Sequence, residues 1–276
     1  MVNFDGDPRG ERRRRLAGIP AALWRWVVQA RHRLLMLDYD GTLAPFAVAR
    51  ADARPSPETI ALLQRIAASP GTTLAIVSGR RLDEIEALMA DVPATLIGEH
   101  GWERRRADGT YLRIPLDPAT AATLAAAVQA ARAGGWGERL EQKRSAVVLH
   151  TRGLPEAHAR ELEERGAQAW QPLVSPQVAL DRIRGGVELR ARGRNKGTAV
   201  LSLLSHAPRG TLGVFVGDDV TDEDAFEAVH AWGFGVRVGD GSGPSVAQAR
   251  LGSIGAVAEF LAEWLRLTAP PLGEAS

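Results

Sequence analysis

The chain has 276 residues, with 34 Lys+Arg against 33 Asp+Glu, a formal net charge of +1, 45% hydrophobic residues and no cysteine. That length supplies core enough for one large domain or two modest ones, and the composition is globular rather than disordered. The balanced charge gives no footprint for nucleic acid, the missing cysteines exclude disulfides and thiolate metal sites, and no stretch approaches the roughly 20 apolar residues that span a bilayer.

The first residues are polar and carry the run Glu11-Arg12-Arg13-Arg14-Arg15 without an apolar signal-peptide core, so 1–19 are expected to form a flexible, solvated tail. From Ile19-Pro20 to Arg33, the spacing of Ala22, Leu23, Trp26 and Val27 predicts a short amphipathic helix. Leu34 to Leu37 reads as a buried strand ending at Asp38-Tyr39-Asp40-Gly41-Thr42. Ser56-Pro57-Glu58 opens a capped helix, and Thr72 to Val77 is a second buried strand ending at Ser78-Gly79-Arg80. A helix with Leu82, Ile85, Leu88 and Met89 follows, then a third strand, Thr95 to Gly98, before Glu99-His100-Gly101-Trp102. This alternation predicts an α/β fold with a doubly wound parallel sheet, resembling a Rossmann core.

Between Asp108 and Arg192 the texture changes. An Ala-rich helix (Thr120 to Arg132), a strand (Ser145 to His150), a charged helix (Pro155 to Arg165) and a strand at Val187 to Arg190 predict a smaller α+β insertion over 108–192. Asn195-Lys196-Gly197 then starts a helix that returns the chain to the main sheet. Leu212 to Val216 is a strand ending at Gly217-Asp218-Asp219-Val220-Thr221-Asp222, and a helix (Asp222 to Trp232), a strand (Gly235 to Val238) and a helix (Ile254 to Leu267) follow. The core is therefore expected over 20–107 and 193–270, with 271–276 a flexible end.

Ligands of open parallel sheets bind beyond the carboxyl ends of the strands, so the two acidic loops are expected to converge. A phosphate monoester repels a bare carboxylate; a hard cation such as magnesium, held by a few carboxylates, removes the repulsion. Asp38 and Asp218, with Asp219 or Asp222, offer such ligands, while helix capping and turn formation are the bland roles for the same residues. The Ser78 hydroxyl, beside a helix start, is suited to a phosphate oxygen. Lys196 could neutralise charge on that phosphate and on Asp38, or could be an ordinary surface lysine.

These segments resemble the motifs of the haloacid dehalogenase superfamily: Asp38-Tyr39-Asp40-Gly41-Thr42, Ser78, Lys196 and Gly217-Asp218-Asp219. Within it the chain resembles the trehalose-6-phosphate phosphatase family through Val77-Ser78-Gly79-Arg80, Gly98-Glu99-His100-Gly101, Glu141-Gln142-Lys143 and the stretch Gly217 to Phe226. The resemblance implies a magnesium-dependent phosphatase of trehalose biosynthesis acting through an aspartyl phosphate. Asp38 would be the nucleophile and Asp40 the general acid and base. Mg2+ would sit on Asp38, Asp218 and the carbonyl of Asp40. Thr42, Ser78 and Lys196 would hold the phosphoryl group, with Asp219 and Asp222 orienting these ligands. The insertion would be a cap whose Glu141, Lys143 and Glu188 meet sugar hydroxyls; Gly79, Arg80 and His100 are further candidates.

The alternative substrates are sucrose 6-phosphate and a glycosyl-3-phosphoglycerate. The latter brings a carboxylate, for which Arg144, Arg182 or Arg190 would be expected to face the site. A binding-only module would be expected to lack Asp38 or Asp40, and both are present. The expected partner is a small sugar phosphate, with a functional link to a trehalose-6-phosphate synthase and no nucleic acid or membrane partner. A monomer in the cytoplasm is expected.

Overall fold

The computed structural model describes residues 15–47, 50–241 and 243–269. Strand β1 (Arg33–Leu37) is the axis of the larger of two sheets. It pairs in parallel with β10 (Leu212–Gly217) on one side and β2 (Thr72–Val77) on the other, Leu37 lying opposite both Val216 and Ile76. β3 (Thr95–Gly98), β11 (Gly233–Val238) and β12 (Ala249–Leu251) extend the parallel pairing. β4 (Glu103–Arg105) and β5 (Tyr111–Arg113) add an antiparallel edge, giving the order β12-β11-β10-β1-β2-β3-β4-β5. The doubly wound fold expected from the alternating apolar runs is present.

Those runs are buried because helices cover both faces. On one face α1 (Ala21–Gln29), α2 (Pro57–Ala67), α3 (Leu82–Leu88) and α8 (Ile254–Thr268) bring Leu23, Leu63, Ile85 and Phe260 into one cluster with Leu35 and Leu37. On the other, α6 (Lys196–Ser205) and α7 (Glu223–Val229) pack Val200, Leu204 and Phe226 with Met36 and Phe215. The Ser56 hydroxyl accepts from the Thr59 amide and Pro57 occupies the first turn of α2, so the cap read in the sequence forms.

The second sheet is antiparallel. It has the order β6-β7-β9-β8, from β6 (Leu140–Gln142), β7 (Ala146–His150), β8 (Val178–Ile183) and β9 (Gly186–Ala191). Helices α4 (Pro118–Ala133) and α5 (Glu156–Trp170) cover one face, with Leu124, Val128 and Trp170 against Val147, Leu149, Val187 and Leu189. Strand alternation sends the intervening residues to the other face, where the register sets Glu141, Val148, Glu188 and Asp181 abreast. This polar row faces the carboxyl ends of the large sheet.

The large sheet runs on to Arg113, past the Asp108 at which the insertion was expected to open. Of the expected flexible ends, 1–14 and 271–276 lie outside the described residues, but residues 15–19 do not behave as a tail: Ile19 is buried in the core and Leu16 packs against it. Among the described residues no helix is long and apolar enough to cross a membrane.

Candidate active site

Asp38 follows β1 directly, and its amide donates to the Val216 carbonyl at 2.9 Å, tying the first acidic loop to the strand that delivers the second. The loop then turns at Gly41, whose φ is +82°. A Cβ there would sit 2.2 Å from Asp218 Oδ2, so glycine serves both the left-handed turn and the approach of the two loops. The Thr42 hydroxyl, fully buried, donates to Asp218 Oδ1 at 3.5 Å.

Lys196 stands in the first turn of α6, fixed by an Asn195–Thr198 capping box. Its ammonium donates to Asp38 Oδ1 at 2.6 Å and to Asp222 Oδ1 at 2.7 Å, and all three side chains are at most 4% exposed. Asp222 Oδ2 accepts the Asp219 amide at 2.9 Å, while the Asp219 carboxylate caps the Val220 amide. Asp222 thus holds Lys196 in place, and Asp219 shapes the loop at the cavity wall.

The electrostatics are lopsided. Burial, then the neighbouring Asp222 and Asp218 charges, push Asp38 well above the usual carboxylate range against the opposing pull of Lys196. Burial and the Asp222 charge raise Asp218 to about 6. Burial alone would discharge Lys196, but Asp222 and Asp38 outweigh it and lift its pKa above the ordinary lysine value. One ammonium, bonded to Asp38 and Asp222, therefore stands among three crowded carboxylates.

That crowding fits a hard cation. One carboxylate oxygen from each of Asp38, Asp218 and Asp222 can lie within 4.8 Å of the others, and such oxygen donors suit magnesium. Asp222 already engages both oxygens, on Lys196 and on the Asp219 amide, which leaves Asp38 and Asp218 as the better-disposed pair.

Asp40 takes a different partner. Arg80 grips it with two parallel bonds, Nε to Oδ2 at 2.7 Å and Nη2 to Oδ1 at 2.6 Å, and stacks 5.0 Å from the Tyr39 ring centroid. Burial works against the guanidinium charge, but Asp40 overrides it and raises the Arg80 pKa. Arg80 is thus 2% exposed and paired with Asp40.

Ser78 closes β2, 1% exposed, with its hydroxyl accepting the Arg80 amide at 3.1 Å. Beside it the backbone is strained: Glu99 and His100 have φ of +47° and +56°, each costing on the order of 1–3 kcal/mol for a residue with a side chain. The His100 ring fills the space a side chain at Gly79 would need, with Nε2 2.5 Å from an ideal Cβ there. Burial lowers the His100 pKa to about 3, so the imidazole is neutral.

Above these loops the polar face of the small sheet closes a cavity of about 110 Å3, lined by Asp38, Asp40, Ser78, His100, Lys143 and Glu188 among others. Lys143 donates to the Gly79 carbonyl at 2.9 Å and to Glu188 Oε1 at 3.0 Å. Although burial opposes it, Lys143 holds the Glu188 carboxyl below the usual range. Glu141 Oε2 meets His150 Nε2 at 2.7 Å on the same face.

Of the residues singled out in the core loops, Asp38, Asp40, Ser78, Gly79, His100, Lys196 and Asp219 line the cavity, Arg80 and Asp222 each bond one of these, and Thr42 bonds Asp218 close to Asp38; Lys143 and Glu188 join them across the gap, and Glu141 is linked to the cavity through His150. The arginines that a phosphoglycerate substrate would call on have other partners. Arg144 turns to Glu103, Arg182 to Glu163 and Arg190 to Asp181, so each satisfies a neighbouring acid. Two others line the cavity, Arg152 and Arg184, stacked on Phe46 at 5.6 and 4.0 Å from the ring centroid. Their positions depend on how the small sheet tilts over the large one, for which the local sequence carries no signal. Glu99 and His150 were visible only as members of motifs.

The model of the trehalose-phosphatase family matches residues 36–250. The chain is 34% identical over 227 residues to the trehalose-6-phosphate phosphatase of Escherichia coli (strain K12), covering 79% of this chain and 80% of that protein. It is 31% identical over 226 residues to a bifunctional trehalose-6-phosphate synthase/phosphatase of Thermoproteus tenax, covering 81% of this chain and 30% of that longer protein. Among solved structures, the C-terminal domain of C. albicans trehalose-6-phosphate phosphatase superposes with a TM-score of 0.78 at 23% identity, over 89% of this chain and 96% of that one, a likeness of fold. On the strength of that match and that identity, this chain belongs to the trehalose-phosphatase family.

Proposed function

We propose that the protein hydrolyses trehalose 6-phosphate to trehalose and inorganic phosphate in a magnesium-dependent reaction through an aspartyl phosphate on Asp38. The observation that carries this reading is the convergence of Asp38, Lys196, Asp222 and Asp218 beneath a polar sheet face bearing Lys143 and Glu188, with Glu141 bonded to His150 on the same face. Family membership supplies the substrate.

In the first half-reaction a carboxylate oxygen of Asp38 attacks phosphorus in line, the bond from phosphorus to the sugar oxygen breaks, and Asp40 gives that oxygen a proton. In the second, water attacks the same phosphorus, Asp40 takes a proton from it, and the bond to Asp38 breaks to release phosphate. Lys196 and the Ser78 and Thr42 hydroxyls are suited to the charge on the phosphoryl oxygens. Magnesium, held by Asp38, Asp218 and the Asp40 carbonyl, would neutralise phosphate charge. The Arg80 fork occupies both Asp40 oxygens, so Asp40 must loosen it to exchange a proton with the sugar oxygen or with water.

A cavity of about 110 Å3 is smaller than the ~300–1,000 Å3 of most ligand pockets. Residues 114–192 therefore act as a cap that lifts to admit the disaccharide and closes over it. Glu141, Lys143 and Glu188, a charged but balanced set, suit the hydroxyls of a neutral sugar. The enzyme works as a cytoplasmic monomer downstream of a synthase that makes the phosphorylated disaccharide; the bifunctional relative joins those two activities in one name.

Arg152 and Arg184 favour the second reading, a glycosyl-3-phosphoglycerate with its extra carboxylate, although both already stack on Phe46. Phosphate release from trehalose 6-phosphate, sucrose 6-phosphate and glucosyl-3-phosphoglycerate, with magnesium and with a chelator, decides between them. The expected result is a preference for trehalose 6-phosphate that the chelator abolishes. A folded protein that leaves this ester intact sinks the proposal.

A further inference from the structure

We propose that Glu99 is a positioning residue for sugar recognition: its carboxylate, rooted in the core, docks the turn of the β6–β7 hairpin so that Lys143 is held over the cavity beside Glu188. The inference rests on the reading of that hairpin as part of a sugar-binding cap.

The hairpin closes where the Lys143 amide donates to the Ala146 carbonyl at 2.9 Å, which leaves Arg144 and Ser145 at its tip. Their amides find a partner on the other sheet. Glu99 Oε1 accepts from the Arg144 amide at 3.1 Å, and Oε2 accepts from the Ser145 amide at 2.7 Å and its hydroxyl at 2.6 Å. Three donors on one carboxylate, at 1% exposure, make a strong and directional joint. One residue back, the Lys143 ammonium meets the Gly79 carbonyl and Glu188.

Glu99 does not act alone on the tip: Arg144 also pairs with Glu103 at 3.5 Å, and the carbonyl of the buried Ser145 accepts the Ala191 amide at 2.8 Å. A cleft of about 570 Å3, lined by Arg81, Glu103, Arg113 and Arg144 among others, opens beside the tip. Glu99 is not a comfortable residue for its backbone, which is left-handed through Glu99, His100 and Gly101. That conformation is costly for glutamate. It persists where side-chain contacts over-determine it, and here those contacts run across the gap to the hairpin. A glutamate serving only the core would not require its three partners to come from residues 45 and 46 positions away.

Glu99→Gln keeps the size and removes the charge, presenting amide hydrogens to at least one of the three donors. The ratio of kcat/KM for trehalose 6-phosphate to kcat/KM for p-nitrophenyl phosphate, an ester too small to use the hairpin, is expected to fall about tenfold, mainly through KM for the sugar ester. In the substrate-free protein, hydrogen exchange at the 144–146 amides is expected to speed up by at least about tenfold. Ser145→Ala, which leaves Glu99 in place, is expected to move the same ratio about threefold in the same direction. Equal losses on both esters, unchanged exchange in the glutamine variant, or an unmoved ratio in the alanine variant would overturn the proposal. If the wild-type protein does not hydrolyse trehalose 6-phosphate, the proposed function falls, and exchange alone still decides whether Glu99 docks the hairpin.

Discussion

The core and the small sheet bury charge in opposite ways. Beneath the cavity, Asp38 and Asp222 share one lysine with Asp218 crowded beside them, and Asp38 and Asp218 are pushed towards the protonated form. Above it, Glu188 has Lys143 to itself and its pKa falls. Burial acts on both sites; what differs is the count of compensating charge. In the proposed reaction a cation and a phosphate would complete the acid-rich site at the strand ends, whereas the balanced one would suit neutral hydroxyls. The same two sheets can therefore divide chemistry from recognition.

Substitutions on either side break or sharpen this contrast. The largest effect is expected at Asp38. Asp38→Asn removes the proposed nucleophile and should cut kcat for phosphate release by at least about a thousandfold. Lys196→Met comes next in consequence for the fold. It strands two buried carboxylates, for which breaking a buried pair costs about 3–5 kcal/mol; urea unfolding of the variant should show a loss of that order, partly recovered by added magnesium.

How far the contrast was legible beforehand depends on the distance over which each feature is encoded. β1, β2, β3, β10 and β11 announce themselves as apolar runs because a parallel strand buried on both faces has no polar side. The residues immediately after β1, β2 and β10 inherit that certainty, which is why Asp38, Ser78 and Asp218 could be located from sequence. β4 reads Glu-Arg-Arg and β12 has three residues, so neither carries a period long enough to detect. Arg80 as the partner of Asp40, Arg152 and Arg184 around Phe46, and Glu99 beneath residues 144–145 all rest on pairings across tens of residues. Nothing near them in the chain specifies those pairings.

Smaller effects test the balanced side. Lys143→Met leaves Glu188 uncompensated and removes a donor to the sugar, so kcat/KM for trehalose 6-phosphate should fall by about 10–100-fold, and the loss should be smaller with p-nitrophenyl phosphate. His100 supplies the mildest test. Its pKa is about 3 in the fold against 6.5 ordinarily, so between those values the unfolded chain binds a proton that the folded chain refuses. Its contribution to stability is complete above about pH 6.5 and drains away as pH falls through that window. Between pH 7 and pH 5 the wild type should lose about 1–2 kcal/mol more than His100→Gln, as measured by urea unfolding.

The most direct test of the central claim is to quench the protein in acid during turnover of trehalose 6-phosphate with magnesium and map its peptides by mass spectrometry. A phosphoryl group is expected on the peptide that contains Asp38, absent when asparagine replaces it. Brisk turnover with that peptide unmodified, or with the phosphoryl group on another residue, would contradict the account.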